Sequence, residues 1–200
     1  MKKPSVSRDL SSFLAKVNVL VIDSDEKMVK LMTETLENLG FTVYGAFNGF
    51  HAMKLLEKYD IDLIITDWEL SPNNANDTGP NPASSSNKWG PALPTDGDSL
   101  VRYIRASKSS PNPYLSIMML TGQALRDSVE YARDAGVNEI LIKPISADNL
   151  CSRIVRIVND SRPFVTSKEY KGPCRRNRST PMDKKEDRRK LDIKIVRSQR

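Results

Sequence analysis

The chain is poor in the residues that build cross-links and metal cages: two cysteines, Cys151 and Cys174, and one histidine, His51, in 200 residues. So few ligands exclude a disulfide framework and a Cys/His zinc site, and leave the two thiols as reduced, inert intracellular residues. No Gly-rich phosphate loop is present, nor a nucleophile beside an internal base. No apolar run is long enough to cross a bilayer, and MKKPSVSRDLSSFLAKV has two lysines but no continuous apolar stretch behind them. The expected compartment is the cytoplasm.

Charge is unevenly spread, with basic residues concentrated at one end. Residues 161–200 hold 14 Lys or Arg against 5 Asp or Glu, a net +9, so a chain total of +6 leaves −3 for residues 1–160. Basic character therefore belongs to the tail, and any nucleic-acid reading is confined to it. No helix-turn-helix or other DNA-reading pattern is visible there, which argues against a transcription factor.

An apolar content of 38% in a chain of this length can bury one core with appendages. Strand-like runs alternate with helical patterns, the signature of crossover units and a parallel sheet. VNVLVID (17–23) is the first strand, and Met28, Leu31, Met32, Leu36 and Leu39 recur at helical spacing until Gly40. FTVYGAF, IDLIIT, YLSIMMLT and NEILI supply four more strands, interleaved with helical HAMKLLEKY, GDSLVRYIRAS, a stretch from Asp127 to Ala135, and Ala147 to Val158. Between the third strand and the third helix, residues 71–95 are crowded with Pro, Gly, Asn and Ser and read as an inserted loop. The predicted organisation is a lead of 1–16, a folded unit of 17–160 carrying the 71–95 loop, and a basic, largely disordered tail of 161–200.

In LIITDWELSP the carboxylate Asp67 ends an apolar run, where it is costly without partners. An open parallel sheet gathers binding groups at the carboxyl ends of its strands. Those ends carry Asp23, followed by Asp25 and Glu26, then Asp67, Thr121, and Lys143 before Pro144. Carboxylates, a hydroxyl and an ammonium on one edge suit a hard divalent cation and a phosphoryl group. The plain structural alternative is an Asp67–Lys143 ion pair without a ligand.

Taken together, VLVIDSDE, LIITDWELSP, TDGDSLVRYIR, MMLTG and LIKPIS resemble a response-regulator receiver domain of two-component signalling, over about residues 17–160. The tail segment RPFVTSKEYKGPCRRNR resembles the extension of some single-domain alphaproteobacterial receivers; it mixes Phe164, Val165 and Tyr170 with arginines, so two readings stand, a part that docks on the domain or on a partner and a solvated tail. The resemblance implies an α/β, flavodoxin-like (βα)5 doubly wound parallel sheet of strand order 2-1-3-4-5. It implies that Asp67 accepts a phosphoryl group from a sensor histidine kinase or phosphotransfer protein. Magnesium would be held by Asp23, Asp67 and the backbone carbonyl of Glu69, while Thr121 and Lys143 would bind the phosphoryl oxygens. Such a chain is a switch that signals to a downstream protein, as a monomer or a homodimer, rather than an enzyme that turns over.

Three departures from the family pattern stand out. Ser24 takes the place of the usual second acid, with Asp25 the candidate to cover for it; Ile140 stands where the family often has an aromatic switch residue; and 71–95 replaces a few residues, with Trp89 as its large anchor, as a lid or a plain surface loop. They keep a second reading open, a pseudo-receiver that binds partners without phosphate control. His51 is expected to be an exposed helix residue and Trp68 a packing or partner-contact residue.

Overall fold

Five short runs of aliphatic residues form a parallel sheet: β1 Asn18–Ile22, β2 Thr42–Ala46, β3 Leu63–Asp67, β4 Ser116–Thr121 and β5 Glu139–Ile142. The helices between them are α1 Glu26–Leu39, α2 Gly49–Lys58, α3 Gly97–Ala106, α4 Arg126–Ala135 and α5 Ala147–Val158. The computed structural model describes residues 12–70, 96–122, 126–160, 162–167, 170–175 and 194–196. The inserted loop 71–95, including Trp89, lies outside the described residues, as does most of the tail.

Strand order is β2-β1-β3-β4-β5, all pairs parallel. The expected flavodoxin-like topology and its five strands and five helices are thus borne out. The three central strands are apolar on both faces because both faces are covered. Leu20, Ile22, Ile64, Ile117 and Met119 point to one side and pack with Phe50 and Met53 of α2, Leu100 and Ile104 of α3, and Ala132 of α4. The intervening Val19, Val21, Leu63, Ile65, Met118 and Leu120 point to the other and pack with Leu36 of α1 and Leu150 and Ile154 of α5.

Capping side chains set the helix starts. Asp25, Asn48, Asp96 and Ser146 each accept a backbone N–H in the first turn of α1, α2, α3 and α5. Gly40 ends α1 at φ 103°, a left-handed conformation that favours glycine. No helix among the described residues is long and apolar enough to cross a membrane.

Two boundaries differ from the sequence expectation. Residues 12–14 form a helical turn, and Leu14 is buried with Val17 in the α1/α5 core, so the described end of the lead, from residue 12, packs on the domain. At the other end, β6 Phe164–Thr166 and β7 Lys171–Pro173 pair antiparallel, and β8 Lys194–Val196 pairs with the other side of β6. A tail read as largely disordered is therefore ordered over these stretches, and its aromatic residues explain why. Phe164 is buried, its ring edge-on to Tyr114 at 5.6 Å and 5.0 Å from the guanidinium of Arg105. Arg105 is itself only 2% exposed and donates to the carbonyls of Pro113 and Gly136 and to Asn138 Oδ1. Burial pulls its pKa down to about 9, which still leaves it charged at neutral pH. The hairpin closes this polar socket from outside.

Candidate functional site

Register brings the charged residues of the strand ends to one edge. Ile22 pairs with Thr66, so Asp23 emerges level with Asp67; Asp67 pairs with Leu120 and Thr121 with Ile142, so Thr121 and Lys143 each lie one step further along. Backbone hydrogen bonds extend the ladder past the strands and hold these ends in place. Asp23 donates to the Ala46 carbonyl at 3.2 Å, Trp68 to Leu120 at 2.9 Å and Lys143 to Thr121 at 2.8 Å. The Lys143–Pro144 peptide is cis.

The Lys143 ammonium sits between the two carboxylates, 3.0 Å from Asp67 Oδ1 and 3.4 Å from Asp23 Oδ2. All three side chains are largely shielded, with exposures of 10% for Asp23, 14% for Asp67 and 25% for Lys143, so water screens the pairing weakly. Loss of hydration raises the Asp23 pKa, and the Asp67 charge adds to that; the Asp25 N–H, which donates to Asp23 Oδ1 at 2.9 Å, and Lys143 pull the other way without cancelling it. For Lys143, burial works against its charge, but the hydrogen bond and field of Asp67, then those of Asp23, outweigh it and hold its pKa above the ordinary lysine value. Thr121 is buried at the end of β4, between the strand of Asp67 and that of Lys143.

Asp25, the sequence candidate to replace the acid missing at Ser24, caps α1: its Oδ1 accepts the Lys27 N–H at 2.9 Å. Among the described residues, no three acidic, histidine or cysteine side chains gather as a cation cage. Two carboxylates do meet, which is the donor number magnesium commonly takes from a protein while keeping waters and phosphate oxygens in its shell. Asp23 and Asp67 therefore suit magnesium in that two-carboxylate mode. Glu69 follows two residues after Asp67 with its side chain exposed.

Other sequence candidates fall outside this cluster. Ile140 and Trp68 are half-buried and pack against the α2/α3/α4 core. His51 is half-buried against Phe47 at a ring separation of 5.7 Å, rather than an exposed helix residue. One residue at the site escaped the sequence reading. Gly97 donates its N–H to the Trp68 carbonyl at 2.9 Å, which brings the start of α3 onto the backbone just past Asp67. The Asp-Gly pair of TDGDSL was the available signal, since an N-cap followed by glycine allows such a close approach.

Comparison with known proteins agrees with this topology. The family model described as response regulator receiver domain matches residues 19–75. The chemotaxis protein CheY-3 of Vibrio cholerae is 27% identical over 142 residues, 70% of this chain and 91% of that protein. The virulence sensor protein BvgS of Bordetella bronchiseptica is 29% identical over 69% of this chain, a region that is 10% of BvgS. Among solved structures, the receiver domain of Francisella response regulator 1452 superposes with a TM-score of 0.54 at 22% identity, covering 72% of this chain and 97% of that one. The receiver domain of sensor histidine kinase PA1611 from Pseudomonas aeruginosa, described with magnesium coordinated in its active-site cleft, has a TM-score of 0.53 at 23% identity, over 72% of this chain and 98% of that one. In its five-strand order, and over residues 19–75 in sequence, this chain is similar to response-regulator receiver domains.

Proposed function

We propose that the protein is a phosphoacceptor switch in a two-component relay and that Asp67 is the residue phosphorylated. The observation that carries this reading is the single ammonium of Lys143 shared by Asp67 and Asp23 in a shielded pocket at the strand ends. In the transfer, an Asp67 carboxylate oxygen attacks the phosphorus of a donor phosphoimidazole. The O–P bond forms as the P–N bond breaks, and the electron pair returns to the imidazole nitrogen. Such a step is catalysed mostly by position and charge. Lys143 offers a fixed positive charge to the incoming phosphoryl oxygens, and the Thr121 hydroxyl donates to one of them once the adduct has formed. Asp23, Asp67 and the backbone carbonyl of Glu69 would hold magnesium, which supplies neutralising charge for the phosphoryl group when bound.

The donor is a sensor histidine kinase or a phosphotransfer protein, and the product signals by contact with a downstream protein. The chain is thus consumed and reset rather than turning over a substrate. Two free cysteines support a reducing, cytoplasmic setting. The pseudo-receiver reading draws on one observation: the acid next to Ser24 is engaged as a helix cap.

Incubation with acetyl phosphate and magnesium, followed by intact mass measurement, separates the two. One phosphoryl adduct on the wild type, absent from Asp67→Ala, is expected. No adduct on the wild type, or one that survives Asp67→Ala, overturns the phosphoacceptor reading.

A further inference from the structure

Helix α4 lies between the charged edge and the tail hairpin. Its first residue, Arg126, follows five positions after Thr121 in the sequence. Its other end is gripped by the hairpin. Arg175 pairs with Asp134 at 2.7 Å and donates to the Arg133 carbonyl at 3.0 Å. Just past the helix, Gly136 at φ 100° meets the hairpin backbone to backbone. A Cβ placed on it would stand 2.4 Å from the Lys171 carbonyl oxygen, and one placed on Gly172 would stand 2.8 Å from the Gly136 Cα. Arg175 is held in turn by the hairpin, its guanidinium 4.2 Å from the Tyr170 ring, whose hydroxyl donates to the Pro173 carbonyl. The same hairpin reaches the end of α3 through Phe164 on Arg105, and the start of β5 through Arg162, which donates to the Asn138 carbonyl at 3.3 Å.

Contacts this close suit one placement of α4. Packed interfaces of this kind hold or let go; they do not stretch. We propose that the hairpin of residues 162–175 is an intramolecular partner of α4 whose docking opposes phosphorylation of Asp67. This rests on the phosphoacceptor reading above. The hairpin fits one placement of the end of α4, and drawing Thr121 toward a phosphoryl group on Asp67 would displace the chain that runs from β4 into α4 and loosen that grip. Linkage makes the effect reciprocal: a chain whose hairpin is undocked holds a phosphoryl group, or its mimic, more tightly by the same factor. The output of the switch is then the freed tail and the Arg105 socket that it uncovers.

The test uses the full chain, with beryllofluoride plus magnesium as the acyl-phosphate mimic and calorimetric titration as the readout. Arg175→Glu faces Asp134 with a like charge and is expected to bind the mimic on the order of fivefold more tightly than wild type. Arg175→Ala should fall between them, and the double variant Asp134→Arg/Arg175→Glu should return to the wild-type affinity. Hydrogen exchange at residues 164–166 and 171–172 of the wild type should accelerate when the mimic binds. Equal, Asp67-dependent affinity in all these chains, with hairpin exchange unchanged, overturns the coupling alone. No binding in any chain, or binding that survives Asp67→Ala, overturns the Asp67 reading and the coupling with it.

Discussion

Gly97 stands so close to Asp67 that a Cβ added to it would lie 2.1 Å from the Asp67 carbonyl oxygen and 3.2 Å from the Trp68 Cα. The neighbours it would strike are backbone, which cannot swing aside as a flexible side chain can. The start of α3 and the end of β3 are thereby set against each other at Asp67.

Gly97→Ala is therefore expected to act against helix propensity, which on its own favours Ala by up to about 1 kcal/mol. Overpacking of this kind costs about 1–3 kcal/mol, and here the strain falls on the Asp67 backbone. Urea denaturation should show the loss of stability, and the rate of adduct formation with acetyl phosphate should fall by more than the folded fraction does. An unchanged rate in a chain that still folds would show that Asp67 does not depend on Gly97.

Ser24→Asp should strengthen magnesium binding, because it restores an acid beside Asp23, where Asp25 is engaged in capping. Added negative charge a few ångströms from a cation at a shielded edge supports a gain on the order of tenfold. Asp25→Ala should instead cost about 1 kcal/mol of stability through the lost cap and leave magnesium affinity nearly unchanged. Calorimetric titration of magnesium into the three chains checks both, and a large affinity loss in Asp25→Ala would place Asp25 among the cation's ligands.

The charged edge also sets a pH dependence. The folded Lys143 pKa lies above the ordinary value of 10.5, so its stabilising contribution is complete below that pH and is lost as pH rises through the folded value. Lys143→Met should flatten the alkaline fall in stability. Asp23 has the opposite sense for a carboxylate. Its raised pKa means that the folded state takes up a proton before the unfolded chain does, so ionised Asp23 costs stability above that pKa. Asp23→Asn should be more stable than wild type at neutral pH, with the difference shrinking as pH falls into the range where Asp23 protonates. Thermal melts across pH read both trends.

Arg105 and Phe164 should behave as core residues despite belonging to a charged helix end and a basic tail. Phe164→Ala is expected to cost about 3 kcal/mol. Arg105→Lys keeps the charge but loses the planar fork that serves three acceptors, and should cost roughly 2 kcal/mol. Cutting the chain after Asp160, which removes Phe164 from the Arg105 socket, should destabilise it more than cutting after Arg175, which removes β8 but keeps the β6–β7 hairpin; denaturant midpoints of the two truncations decide the matter.

The sheet and its helices were legible because their signals are local. Aliphatic runs such as LIIT and IMML bound each strand, Gly40 and Gly136 stop the helices before them, and the strand ends named Asp23, Asp67, Thr121 and Lys143 in advance. What stayed hidden depends on distant partners. Phe164 could be read as a docking residue of the tail, but its partner could not: Arg105, some sixty positions earlier, supplies a buried cation for its ring. Leu14 is likewise one apolar residue in a polar lead, and it is buried against a core built largely from strands that come later in the chain. Asp25 carried a readable signal, an acid just before an acidic first turn, but cap and cation ligand compete for the same side chain and composition does not choose between them.

The hydrogen bond from Gly97 to Trp68 has an engineering consequence. Once the ends of a loop are joined by the fold itself, doubling its length adds only about 0.6 kcal/mol of closure entropy. A peptide epitope or a small reporter can thus be spliced between Leu70, which is buried in the core, and Asp96, which caps α3, while the sheet bears almost none of the cost.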